Sequence, residues 1–390
     1  MKTEARLKEL GIELPETTSP MANYVNVHAV LEERRKAARA AGPHVRVCLF
    51  DAIELLCRPF LTPSLFPSPL RCFQRDGPRV LVAGPVDVGK STLSRILANY
   101  AVRCGWAPVL VDLDLGQGGI TCPGTLAALP LDAPLPPSGG MPLDVALVYF
   151  YGSASPGDNP ELFKHLVARL GAALEARNAL APGARSSGCI VNTCGWIDGV
   201  GKDLLIDAAR TLKCDVVLVI GAERLHAELT QNLGGPSCAV VALRRSGGVV
   251  ARPPEHRRTA RSVRTREYFY GPSAGPALCP HAGSARFDEL SIYRMGGGPR
   301  APSSALPVGA VSAANPLRCT PVTPSLELLH SLLAVSHATE AGELQTSNIA
   351  GFIHVTDVDT HARRITYLAP CAGPLPGQLL LMGTIKWVEE

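Results

Sequence analysis

None of the twelve cysteines stands in a C-x-x-C pair; the two nearest, Cys189 and Cys194, are five positions apart. That spacing excludes the usual zinc-ribbon and dithiol redox motifs, so the cysteines are expected to be reduced and packed as small hydrophobes. No apolar run approaches the ~20 residues of a membrane-spanning helix. The opening, MKTEARLKELGIEL, is charged from its second residue and lacks the apolar core of a secretory leader, so a soluble intracellular chain without membrane contact is expected. Charged residues make up only 18% of the 390 positions and the formal net charge is +4. An excess that small implies no polyanionic partner unless it is concentrated locally. Two motifs are also missing. There is no N-K-x-D, which argues against a GTPase, and no strand ends in the Asp–Glu pair of ATP-driven motors.

What is present is a change of texture along the chain. Residues about 22–41 carry helix formers and stop at Gly42, and about 43–74 are proline-dense without any period. From Arg79 onward, short and nearly continuous apolar strands (RVLVAG, PVLVDLDLG, GCIVNTCG, CDVVLVIGA) alternate with helices, among them GKSTLSRILANYAVRCG and the long PELFKHLVARLGAALEARNAL, capped by Asp158 or Asn159. Such alternation predicts an α/β domain: a parallel sheet with helices on both faces, over residues 77–285. Beyond it, DELSIYRMG, SNIAGFIHVTDVD, RRITYLAP and LLLMGTIKWVEE read as antiparallel strands, with a helix expected at SLELLHSLLAVSH, giving a small C-terminal α+β domain over 286–390.

Four constellations carry chemistry. Gly84, Gly89, Lys90 and Ser91 satisfy G-x-x-x-x-G-K-[ST] between a strand and a helix, the context in which the motif cradles nucleotide phosphates. There Lys90 reaches the β- and γ-phosphates, Ser91 offers its hydroxyl to Mg²⁺, and Thr92 supports the same turn. Asp112 and Asp114 lie two apart at the end of the next strand, so their side chains share a face toward the nucleotide crevice. A carboxylate there holds Mg²⁺ or accepts a proton, and Asp114 is the stronger candidate. Gln117 follows within reach of substrate or metal-bound water. Trp196, in the turn NTCGW, either plugs the core beside the sheet or stacks on a nucleobase. Finally, Arg244 to Arg266 holds eight arginines against one acid, Glu255. Such a run is either a solvated face or a lid over transferring phosphate; arginine's bidentate geometry suits the second.

Together these motifs resemble the eukaryotic polyribonucleotide 5′-hydroxyl kinase family, whose members double as a subunit of the pre-mRNA cleavage complex. GPVDVGKST resembles the family's phosphate loop, bringing Asp87 and Val88 into the nucleotide site, and DLDLGQG resembles its second-strand motif with Asp114 as general base. NTCGW is similar to its clasp, which implies Thr193, Gly195 and Trp196 as holders of the RNA end. RSVRTREYFYG resembles its lid, which implies Arg261 and Arg266 as the arginines that engage phosphate. The resemblance thus implies ATP and Mg²⁺ as cofactors, a 5′-hydroxyl RNA end as acceptor and cleavage-factor subunits as partners. It further implies a nuclear setting in mRNA 3′-end processing, with tRNA splicing as an alternative one. A nucleotide-holding scaffold without turnover is the competing reading. A small-metabolite kinase is disfavoured by Trp196 and the arginines. Family members begin with a β-rich domain that contributes to nucleotide binding. Here residues 1–76 are expected to retain only its linking helix, and the proline-rich piece is expected to be intron read as protein.

Overall fold

Val80, Leu81, Val82 and Ala83 are all buried, because the strand they form is covered on both faces. The structure, a computed structural model, describes residues 77–136, 141–272, 277–296 and 315–389. The helix expected at 22–41 and the proline-rich 43–74 lie outside them. The first sheet combines β1 (Arg79–Ala83), β2 (Val109–Asp112), β3 (Thr125–Pro130), β4 (Leu147–Phe150), β5 (Cys189–Asn192), β6 (Val216–Ile220) and β7 (Ala239–Leu243). Their order is β4-β3-β2-β5-β1-β6-β7. The five strands from β2 to β7 are mutually parallel, and β3 and β4 extend the β2 edge in antiparallel pairing.

Period-2 alternation divides the strand residues between two cores. Val80 and Val82 pack with Leu97, Ala98 and Ala101 of α1 (Lys90–Arg103). Leu81 and Ala83 face the opposite core, built with α2 (Pro160–Leu180), α4 (Val200–Thr211) and α5 (Glu223–Leu233). A short α3 (Pro182–Ser187) leads into β5. The Asn159 side chain caps α2 by accepting the N–H of Leu162, and Pro160 occupies its first turn. Beyond β7, α6 (Pro254–Tyr270) crosses toward the second sheet. Among the described residues no helix is long and apolar enough to cross a membrane.

The second sheet comprises β8 (His281–Arg286), β9 (Ser291–Met295), β10 (Cys319–Pro321), β11 (Ser331–Ser336), β12 (Ile349–Asp359), β13 (Arg364–Ala369) and β14 (Leu379–Lys386). Its order is β10-β9-β14-β11-β12-β13-β8, antiparallel except for the β9–β14 pair. The helix expected at SLELLHSLLAVSH is instead a 3₁₀ turn, Leu326–Leu328, followed by β11. All six residues of β11 are buried, so it shows no polar–apolar alternation, and a short apolar run of that kind reads equally well as helix. The two sheets touch where Thr384 N–H donates to the Gly152 carbonyl at 2.7 Å.

Candidate functional site

The site is built where the C-terminal ends of β1, β2 and β5 converge on the start of α1. The loop from Gly84 to Lys90 turns through three positive-φ residues, Gly84 (φ 149°), Asp87 (φ 54°) and Gly89 (φ 93°). Gly89 occupies the cap position of α1 without any side-chain cap, and the first turn carries no acidic residue. The positive end of the helix is therefore left for an outside anion. Lys90 is only 7% exposed, and its ammonium donates to the Pro85 carbonyl at 2.7 Å. Burial pulls its pKa down while the nearby Asp114 carboxylate acts in the other direction. A buried cation held by a backbone carbonyl is a seat for an anion such as phosphate.

The two aspartates have different surroundings. Asp112 is buried and accepts from Asp114 N–H at 3.0 Å, Gly119 N–H at 2.6 Å and the Asn192 amide at 3.0 Å. Burial, reinforced by the charge of Asp114, pushes its pKa up to about 6. Asp114 uses Oδ1 to accept the N–H groups of Gly116 (3.1 Å) and Gln117 (3.0 Å). Burial raises its pKa as well, opposed by the Gln117 N–H and by Lys90. Asn192, which sequence reasoning passes over, ties the set together: its Oδ1 accepts the Ser91 hydroxyl at 3.3 Å while its amide holds Asp112. A polar residue ending an apolar strand beside the motif was the available signal. Ser91 and Thr92 are exposed, whereas Val88 is buried under the loop.

The NTCGW turn packs directly on the phosphate loop. Thr193 is buried and donates its hydroxyl to the Val82 carbonyl at 2.7 Å, so that hydroxyl braces β5 against β1. Gly195 approaches Val86 so closely that a Cβ would lie 2.4 Å from Val86 Cγ1 and 2.7 Å from its backbone nitrogen. Trp196 is 37% exposed, with its indole lying on Gly201 and its outer edge near Gly157. Beneath it lies a small apolar cavity lined by Leu113, Pro156, Phe163, Leu204 and Leu205. The indole thus sits half-exposed over core residues Leu113, Phe163 and Leu204, and it is Gly195, the residue before it, that touches the phosphate loop.

Helix α6 brings the arginines. Arg257 reaches the phosphate loop, its guanidinium 2.6 Å from Asp87 Oδ2, and the Arg252 N–H donates to the same oxygen at 2.9 Å. Burial works against ionisation of Asp87, but the Arg252 N–H and the Arg257 guanidinium outweigh it and hold the carboxyl below its ordinary pKa. The Gln117 amide donates to the Arg257 carbonyl at 3.2 Å, joining the β2 loop to the lid. Arg261 lies one turn further along, partly buried. Arg266 is not brought to the loop. It is exposed and lies over the Tyr270 ring, 5.3 Å from its centroid. At 100° per residue, Arg257, Arg261 and Arg264 share one face, while Arg266 points about 180° away from Arg257. The sequence leaves the run open as solvated face or lid, and the resemblance implies Arg261 and Arg266; Arg257 is missed because only the phase of the helix singles it out.

The family model described as "mRNA cleavage and polyadenylation factor CLP1 P-loop" matches residues 84–271, and that described as "Pre-mRNA cleavage complex II protein Clp1" matches residues 278–389. The chain is similar to the Protein CLP1 homolog of Arabidopsis thaliana, 46% identical over 374 residues, covering 95% of this chain and 78% of that one. It is also similar to the Polyribonucleotide 5′-hydroxyl-kinase Clp1 of Homo sapiens, 38% identical over 372 residues, covering 95% and 79%. Among solved structures it resembles the wild-type Clp1p–Pcf11p complex, with a TM-score of 0.70 and 25% identity over 88% of this chain and 79% of that one.

Proposed function

This chain belongs to the Clp1 family of mRNA cleavage and polyadenylation factors, and on that premise we propose that it is an ATP-dependent RNA 5′-hydroxyl kinase of the nuclear 3′-end processing machinery. The observation that carries this reading is the buried Lys90 ammonium beside the α1 terminus, with the Asp114 carboxylate close enough to oppose the fall in its pKa. A phosphate seat and a proton acceptor then flank one point.

In the reaction, the 5′-hydroxyl oxygen of the RNA bonds to the γ-phosphorus of ATP as the bond to the β–γ bridging oxygen breaks. The hydroxyl proton passes to the Asp114 carboxylate, which the N–H groups of Gly116 and Gln117 hold in place through its Oδ1. Lys90 and the N–H groups of the loop from Gly84 to Thr92 hold the β- and γ-phosphates. Ser91 Oγ and the Asp114 carboxylate are the hard oxygen donors suited to Mg²⁺, which when bound neutralises charge on the phosphates. Arg257 and Arg261 face the transferring group from the lid. Arg266 joins them only by leaving Tyr270. Trp196 stacks on the acceptor nucleotide, Gly195 lets the clasp approach the loop, and Thr193 positions the clasp. Gln117 links acceptor loop and lid. Catalysis is chiefly alignment and charge stabilisation. Partners of the Pcf11 type follow from the solved relative.

The placement of Arg266 on Tyr270 favours a second reading, a scaffold that holds ATP without turnover. Transfer of labelled γ-phosphate to a 5′-hydroxyl oligoribonucleotide separates the two. The kinase transfers label and Lys90→Ala abolishes it, whereas Asp114→Asn loses transfer yet still binds ATP. Binding of ATP by the wild type with no transfer assigns the scaffold role.

A further inference from the structure

Helix α6 is held at both ends. Its first half meets the phosphate loop through Arg257, and its second half leans on the second sheet. The Phe352 N–H donates to the Tyr268 hydroxyl at 3.0 Å, and the two rings meet edge to face, 5.4 Å apart at 87°. Phe269, fully buried, lies nearly parallel to Trp387, with centroids 5.8 Å apart and planes 7° apart. The Trp387 indole N–H donates to the Ser262 hydroxyl at 3.1 Å.

Trp387 is itself pinned. It is 4% exposed, its backbone N–H donates to the His330 carbonyl at 2.9 Å, and its carbonyl accepts from His354 Nε2 at 2.8 Å. These bonds tie it to residues at the start of β11 and within β12, so it moves only with the second sheet.

Helical phase gives this grip its consequence. Taking Arg257 as zero, Arg261 and Arg264 lie at about +40° and −20°, whereas Ser262 and Phe269 lie at about 140° and 120°. Trp387 therefore holds the back of the helix whose front carries the arginines, while Tyr268, at about +20°, rests on Phe352 further along that front. A side chain ends about 6 Å from the helix axis, so a rotation of about 20° displaces it by about 2 Å. Phosphoryl transfer does not tolerate such a shift, because about 1 Å of misplacement at a reacting centre costs on the order of 100-fold in rate.

We propose that the second sheet is the mount of the lid and that Trp387 is a positioning residue for phosphoryl transfer. Through Ser262 and Phe269 it sets the rotation at which α6 presents Arg257 and Arg261 to the phosphate loop. The kinetic part of this proposal rests on the kinase reading; the mechanical part does not.

The test uses the full chain, ATP and a 5′-hydroxyl oligoribonucleotide, with Ser262→Ala, which deletes only the acceptor hydroxyl, and Trp387→Phe, which deletes the indole N–H together with the five-membered half of the ring. Each variant is expected to lower kcat by about tenfold with ATP affinity unchanged; Ser262→Ala keeps the thermal midpoint, Trp387→Phe lowers it through the lost ring atoms, and Ser262→Ala adds no further loss of kcat in the Trp387→Phe background. Amide exchange over residues 254–262 is expected to quicken in both while exchange in β1 and β6 stays as in the wild type. Variants that keep kcat within twofold and leave exchange in α6 unaltered overturn the proposal, as does a loss of turnover matched by an equal loss in ATP affinity, or in Ser262→Ala by a fall in thermal midpoint. If the wild type transfers no phosphate the kinase reading fails, and the exchange measurement alone then decides whether Trp387 holds the lid.

Discussion

Asp87 and Arg257, 170 positions apart in sequence, meet at 2.6 Å, joining the phosphate loop to the lid helix. The pair is partly exposed, with side chains 17% and 27% accessible. Its direct contribution to stability is accordingly small, about 1 kcal/mol or less. Its importance is where it leaves the guanidinium: on the loop that receives phosphate, facing the same crevice as Lys90 and Asp114, whose pKa values both feel its charge.

Removal of Arg257 should therefore act on turnover and not on folding. Arg257→Ala is expected to lower kcat about 10- to 100-fold with a thermal midpoint near that of the wild type. Arg257→Lys, which keeps the charge and loses the planar fork, should recover only part of the rate. Steady-state kinetics beside thermal unfolding checks both; a large fall in midpoint with little change in kcat contradicts the assignment.

The clasp makes a paired prediction. A Cβ at position 195 collides with the Val86 backbone, so Gly195→Ala should shift the phosphate loop and weaken ATP binding about tenfold or more. Trp196→Ala should leave ATP affinity intact and weaken oligoribonucleotide binding by about 1–3 kcal/mol, the value of one stacked base. Calorimetric titration with each ligand separates the effects, and equal losses for both ligands in Trp196→Ala contradict a stacking role.

Asp112 predicts a pH dependence of stability. Its pKa rises from an ordinary 3.8 to about 6 on folding, so between those values the folded state binds the extra proton. Asp112 therefore costs stability when ionised, fully above about pH 6, and the cost disappears as pH falls through 6 toward 4. The difference amounts to about 3 kcal/mol at most. The stability of the wild type relative to Asp112→Asn should rise as pH is lowered from 7 to 4. Urea midpoints at the two ends measure it, and a relative fall reverses the sign and sinks the assignment.

Much of the site was legible because its chemistry demands contiguous residues. The turn that carries inward-pointing N–H groups needs Gly84 and Gly89 at fixed spacing from Lys90 and Ser91, and an aspartate or clasp must follow directly on an apolar strand. The α/β alternation was equally local, since each strand and each helix announces its own period. The helix expected at SLELLHSLLAVSH shows where local reading stops: a strand buried on both faces has no alternation to display, and its partner β14 lies beyond two intervening strands.

The sequence by itself determined the phosphate loop, the neighbouring aspartates, the NTCGW turn and the presence of an arginine-rich helix, because each is a short-range pattern with a short-range physical cause. Only the tertiary structure decided which of those groups meet. Burial of the strand end, together with Asn192 and Gly119, made Asp112 the brace and left Asp114 facing Lys90. The rotation of α6, set from behind by Trp387 on a separate sheet, turned Arg257 toward the loop and Arg266 toward Tyr270. Helical phase relative to a distant domain is a property of packing, and no run of eight arginines encodes it alone.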